Sequence, residues 1–233
     1  MRLYSFIVIF FFSLCAFAQQ EVAETKVVDS LYREDQFYLN FTYNNLQKLK
    51  GLNQNKFSSG FCIGFLRDMP INKSRTFSFA TGLGYSLNIY NSNLYVYKSQ
   101  ASNGVSDNNY ELLSQDIYYD KNKLSLHYID LPIEIRWRAS TPESHKFWRV
   151  YTGFKLSYLI GDRYKFVNDV QTNIYKKNPD LNKLQYGCYM AAGWNTWNFY
   201  AYYGLNPIFK SGEIDGEKIK MSTFNVGLQF YIL

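Results

Sequence analysis

Eight segments of this chain alternate with a period of two, and in nearly all of them one face is large and often aromatic while the other is small or polar. A period of two belongs to a strand, whose successive side chains point to opposite faces of a sheet. Thr223 to Leu233 is among the clearest: Phe224, Val226, Leu228, Phe230 and Ile232 oppose Thr223, Asn225, Gly227, Gln229 and Tyr231. Thr76 to Asn88 sets Phe77, Phe79, Leu83, Tyr85 and Leu87 against a face made of Thr, Ser, Ala, Gly and Asn. The same division runs through residues 147–160, 128–138, 37–44 and 60–65; residues 184–195 and 199–210 are more aromatic and less cleanly split.

A soluble sandwich also alternates, but its polar face meets water and carries long charged side chains. Here that face is mainly Gly, Ser, Thr, Asn, Ala and Tyr, the filling expected of a narrow barrel interior. The gaps between segments supply a second argument. Medium or long gaps (45–56, 91–123, 161–183, 211–219) alternate with short ones (68–75, 139–146, 196–198). Tight periplasmic turns and longer external loops give that rhythm when both termini are periplasmic. The sequence therefore predicts an all-β protein, an eight-stranded antiparallel transmembrane up-and-down β-barrel. Its 22 Tyr and 19 Phe suit two interfacial aromatic girdles.

The amino terminus predicts export. Met1 and Arg2 precede an apolar run from Ile7 to Leu14, and Ala16-Phe17-Ala18 is a small-x-small cleavage site. This reads as a secretory signal peptide over 1–18, cut after Ala18. The rival is a lipoprotein signal acylated at Cys15, disfavoured by Ser13 and Leu14 before the cysteine. Residues 19–36 read as a polar periplasmic lead-in, and 37–233 as the outer-membrane barrel. The net charge of +6 is mild and dispersed, which argues against nucleic acid as a partner. With Cys15 removed, Cys62 and Cys188 are too few and too distant for a disulfide framework; both read as small apolar strand residues.

One polar cluster stands out. Asp130, Glu134, Arg136 and Arg138 share the inner face of one segment, and Arg149 and Lys155 share that of the next. A cation facing lipid at mid-membrane costs about 2–4 kcal/mol, so these groups are predicted to point into the lumen as a salt-bridge plug, the alternative being a charged pathway or gate. Eight strands leave an interior that side chains fill, whereas open channels need about sixteen, which argues against a general porin. At the carboxyl end Asn225, Gly227, Phe230 and Ile232 form a pattern like the terminal signal read by barrel-assembly machinery, against the alternative of an ordinary last strand.

No catalytic residues, metal ligands or cofactor are predicted. His127 lies three residues before Asp130, an odd spacing that puts the two on opposite faces, and His145 sits in a short turn with Glu143 and Lys146. G-x-S-x-G, H-E-x-x-H and phosphate-loop motifs are absent from the sequence. In loop 91–123, Tyr95, Tyr97, Tyr110, Tyr118 and Tyr119 are either contact residues or packing over the barrel's own mouth.

Three stretches carry a family resemblance: Gly64 to Lys73 (GFLRDMPINK), Gly82 to Ser86 (GLGYS) and Tyr128 to Arg138 (YIDLPIEIRWR). They resemble the PorT family of outer-membrane proteins (SprT in gliding bacteria) from the Bacteroidetes. Ala191 to Asn195 and Tyr203 to Pro207 look similar too, so the likeness spans Phe37 to Leu233. The resemblance implies a component of the type IX secretion system, which exports folded cargo and, in gliding species, motility adhesins. It implies no catalytic or binding residues. Protein contact is the expected mode of action, with the turn residues Arg67, Asp68, Met69, Pro70 and Asn72 facing periplasmic secretion components. Outer-membrane lipid and the barrel-assembly machinery are the other expected partners. The competing expectations are an OmpA-like structural or adhesive barrel and a loop-based surface enzyme.

Overall fold

The computed structural model describes residues 35–54, 56–100, 106–114, 116–139 and 147–232, so the signal peptide, most of the lead-in, Glu143, His145 and Lys146 lie outside the described residues. Among the described residues thirteen strands follow one another: β1 (Gln36–Gln47), β2 (Ser59–Pro70), β3 (Phe77–Asn91), β4 (Leu94–Gln100), β5 (Ser106–Leu112), β6 (Lys121–Arg138), β7 (Trp148–Val167), β8 (Thr172–Lys176), β9 (Leu184–Trp194), β10 (Trp197–Gly204), β11 (Glu213–Ile214), β12 (Glu217–Lys218) and β13 (Ser222–Ile232). Among the described residues no helix forms.

Eight of these strands make a closed antiparallel ring in the order β1, β2, β3, β6, β7, β9, β10, β13. The ring shuts where β13 returns to β1, from Phe37 opposite Ile232 to Gln47 opposite Ser222. Closure leaves no barrel strand with an unpaired edge, which is what a spanning sheet requires in lipid. The alternation sorts as expected. Phe41, Leu83, Ile135, Val150 and Phe199 are exposed on the outer wall, while Tyr38, Ala80, Tyr151 and Gln229 are buried within.

The barrel is narrow enough that some inward positions admit no side chain. A Cβ at Gly82 would lie 1.8 Å from the carbonyl oxygen of Phe65, and one at Gly227 would lie 1.9 Å from that of Phe41. Both glycines sit where neighbouring backbones coil inward and approach closely.

One end of the barrel has the tight connections. Asn72 orders the β2–β3 turn: its side-chain amide donates to Ser74 Oγ and Thr76 Oγ1, and its carbonyl oxygen accepts from the backbone N–H of Phe77. Asn195, in the two-residue β9–β10 turn, takes the left-handed conformation (φ 54) that asparagine tolerates. All four tryptophans, Trp137, Trp148, Trp194 and Trp197, face outward at this end on adjacent strands. Trp148 packs edge-on against Trp194 with ring centres 5.5 Å apart, and Trp197 against Phe230 at 4.7 Å.

The opposite end departs from the sequence expectation, because much of what reads as loop is strand. β6 starts at Lys121 rather than Tyr128, and β7 runs on to Val167, where β8 pairs with it. The cause is a bulge: His127 opposes Gly161 but Tyr128 opposes Leu159, leaving Ile160 as an extra residue on β7. One extra residue reverses which parity faces inward. Arg149, Tyr151 and Ser157 are inward before the bulge, and Tyr164 and Phe166 after it. The segment expected over 199–210 stops at Gly204, and β4–β5 and β11–β12 are hairpins within the expected loops.

These hairpins close a second, apolar core over this mouth. Leu94, Val96 and Tyr110 of β4–β5 pack with Tyr90, Leu124, Leu126, Tyr164 and Phe166 of the wall and with Phe209 and Met221 beyond β10. The interior thus has a polar half towards the tight turns and an apolar half towards the long connections.

Candidate functional site

The polar half is built around an ion lattice in which Asp68 is the hinge. Arg138 donates to its Oδ2 at 2.9 Å, Arg136 to its Oδ1 at 3.2 Å, and the Ser78 hydroxyl to Oδ1 at 2.7 Å. Arg136 Nε also reaches Glu134 at 2.7 Å, whose other oxygen accepts from Tyr189 at 2.9 Å and Tyr231 at 3.3 Å. Arg138 Nε donates to the carbonyl oxygen of Arg75 in the β2–β3 turn, tying the lattice to the rim. Asp68, Asp130, Glu134, Arg136 and Arg138 are all 0–1% exposed. Charges so far from water persist only when paired and hydrogen-bonded, and Asp68, Glu134, Arg136 and Arg138 meet that condition through one another, the Ser78 hydroxyl and two tyrosine hydroxyls.

Higher in the lumen Lys155 pairs with Asp130 at 3.5 Å and lies over the Tyr202 ring at 4.6 Å. Cys62 faces this pair, its sulfur 3.6 Å from Asp130 Oδ2 and 3.9 Å from the Tyr38 hydroxyl. The expected apolar role for Cys62 is therefore corrected: it packs against polar groups on the inner face. Cys188 is exposed on the outer wall, and both thiols are free. The void beside Cys62, Asn40, Lys155 and Gln229 has a volume of about 10 Å³, room for one water molecule. No channel of ionic width fits there.

Arg149 departs from the salt-bridge expectation. It is 2% exposed, and among the described residues it has no carboxylate partner. It lies instead over Phe147 at 4.5 Å, Tyr231 at 5.6 Å and Tyr151 at 5.8 Å, so ring faces take the place of an anion.

Asp68 is the largest correction at the turn. β2 continues to Pro70, which takes Asp68 out of the turn and buries it in the lumen. Arg67 and Met69 face outward on β2 near the rim, Pro70 ends the strand, and Asn72 is engaged within the turn. In β13, Asn225 is buried beside Thr223, Gly227 lies at the closing seam, and Phe230 and Ile232 are on the outer wall. His127 bonds the Tyr85 hydroxyl at 2.6 Å on the outer wall, away from inward Asp130.

At the other mouth Asp180 gathers the long connections. Its carboxylate accepts from Tyr110 at 2.7 Å, Ser211 at 2.7 Å and Asn108 at 3.2 Å, three contacts from two other segments. Burial pushes this carboxyl up, but those hydrogen bonds and the Lys210 charge outweigh it and hold it below the usual range. Desolvation and the bond to Asp180 push the Tyr110 phenol well above its ordinary value. Of the loop tyrosines, Tyr110 is buried in the cap, Tyr95 packs on Phe166 with ring centres 4.6 Å apart, Tyr119 also packs on Phe166, and Tyr118 is exposed.

Comparison with a family model agrees with this architecture. A family model described as an outer membrane protein beta-barrel domain matches residues 17–210. No curated protein sequence matches the chain. Among solved structures, the attachment invasion locus protein Ail of Yersinia pestis is similar at 11% identity and a TM-score of 0.35, covering 87% of this chain and 100% of its own. A structure described under asymmetric conductivity of engineered proteins overlaps with 12% identity and a TM-score of 0.15, covering 86% of this chain and 100% of its own.

Proposed function

Because the chain belongs to the outer membrane protein β-barrel domain family, we propose that it serves in that membrane as a closed, non-enzymatic barrel acting by protein contact within the type IX secretion machinery. The outer membrane is its location, with the tight turns towards the periplasm and the long connections outside. We further propose that the signal peptide is cut after Ala18.

The observation that carries the contact reading is the closed lumen. Asp68, Arg136, Arg138 and Glu134 interlock across it, and the space left beside Cys62 holds one water molecule at most. Opening a path would unpair at least two buried guanidinium groups, each at several kcal/mol. Cargo would travel elsewhere, and this protein would support its export from the side. The assignment to type IX secretion draws on the likeness of residues 64–73 and 128–138 to the PorT family.

The test is affinity purification of the tagged protein from membranes opened with mild detergent, together with a deletion strain. Co-purification of secretion components and loss of export support the reading. A deletion strain that secretes and glides normally overturns it and favours a structural or adhesive barrel. The folded cap of β4–β5, β8 and β11–β12 supports that second reading, since it offers a preorganised outer surface.

A further inference from the structure

Just beyond the lipid-facing band, the outer wall carries five cations on three adjacent strands: Lys121 and Lys123 of β6, Arg163 and Lys165 of β7, and Lys176 of β8. Their arrangement is unfavourable for an isolated sheet. Lys123 lies directly opposite Lys165, and Arg163 directly opposite Lys176. Cross-strand partners share a face with Cβ atoms about 5 Å apart, and like charges so placed repel. Among the described residues, none of the five makes an ion pair within 4 Å, and none of their side chains donates a hydrogen bond.

The position narrows what could relieve this repulsion. Below the patch, the outward residues of β6 are Ile129, Leu131, Ile133, Ile135 and Trp137, and those of β7 run from Trp148 to Ile160. Arg163 follows Ile160 by three residues and Lys165 by five, about 7 and 12 Å in height on strands tilted near 45°. The polar layer adds about 5–8 Å to each side of the hydrocarbon, which puts the Arg163–Lys176 pair within it and the Lys123–Lys165 pair just above its outer edge, where long side chains reach back towards the phosphates. The cations also point sideways from the wall rather than up from the cap, continuous with the surface that lipid already covers. We propose that this face, on the orientation proposed above with the long connections outside, binds the phosphate groups of lipid headgroups in the external leaflet of the outer membrane. Phosphate oxygens between facing cations turn each repulsive pair into two charge-assisted contacts.

The test compares two environments. Full-length protein in neutral phosphocholine micelles is titrated with lipid A, a disaccharide glycolipid bearing phosphates, with the same lipid after dephosphorylation, and with inorganic phosphate. Unfolding temperature is the readout. For the wild type, lipid A raises it saturably and the other two additions do not. Lys123→Gln/Lys165→Gln unfolds no lower than wild type in micelles alone, because the repulsion is gone. It nevertheless responds to lipid A with an affinity lower by on the order of tenfold. Lys123→Arg/Lys165→Arg keeps the wild-type response. A glutamine variant with unchanged lipid A affinity, or an equal response to the dephosphorylated lipid, overturns the proposal. So does an equal response to inorganic phosphate, which would make this a free-anion site. No wild-type response to lipid A also overturns it and leaves the face to an anionic macromolecule beyond the membrane.

Discussion

Arg138 of β6 donates to Asp68 of β2 at 2.9 Å although β3 lies between their strands, so the bond exists only because the sheet curls into a narrow ring. Asp68→Asn leaves Arg136 and Arg138 short of a buried counter-charge. The expected loss is about 3–5 kcal/mol, read from urea unfolding of the reconstituted barrel. Adding Arg138→Met should recover part of it, so that the double variant loses less than the sum of the two single ones. Additive losses would show that Asp68 and Arg138 are not coupled.

The seam offers a steric test. Gly227→Ala places a methyl group against the carbonyl oxygen of Phe41 and should cost about 1–3 kcal/mol by forcing β13 away from β1. Gly161→Ala meets nothing closer than His127 at 3.9 Å and should stay within about 0.5 kcal/mol of wild type. Equal costs at the two positions would argue against so close an approach at the seam.

Tryptophan fluorescence tests how the barrel sits in lipid. All four indoles lie outward at the end with the tight turns, so their emission reports one interface. Quenching by brominated lipids should be strongest for bromines near the headgroup and weak for those at the bilayer centre. Maximal quenching from the centre would mean that the apolar band is misplaced.

Asp180 makes the cap sensitive to acid. Its folded carboxyl titrates below the usual range near 4, so its contribution is present above that value and is lost as pH falls through the depressed one. Limited proteolysis should find the long connections protected at pH 7 and pH 5 and increasingly open to pepsin as pH falls below the ordinary carboxylate range. Asp180→Asn should loosen the cap by about 1 kcal/mol and flatten this dependence, the value kept small because the group is partly exposed. Unchanged acid sensitivity in that variant would assign it to another group.

The wall was legible from residue order because each strand obeys a local rule: large apolar outward, small or polar inward. Phe41 against Asn40 and Ile135 against Glu134 need no knowledge of the rest of the chain. Three features were not legible, each for a non-local reason. Asp68 reads as a turn residue beside Pro70 and Asn72, and only its guanidinium partners on β6 show that β2 continues past it. The bulge at Ile160 leaves no strong mark in the sequence, and beyond it Tyr164 and Phe166 reverse parity, so 161–167 resembles an aromatic loop. Tyr110 reads either as a contact residue or as packing over the mouth, and only Asp180, seventy positions away, decides for packing by receiving its hydroxyl.

β7 is twenty residues long, roughly 65 Å at strand rise, and its lipid-facing stretch ends at Ile160. The remainder lifts the folded tip on a stiff stalk, roughly 15 Å clear of the hydrocarbon once tilt is allowed for. Whatever docks there can be a water-borne protein that never dips into lipid. The tip could also be exchanged for another hairpin without disturbing the staves beneath it.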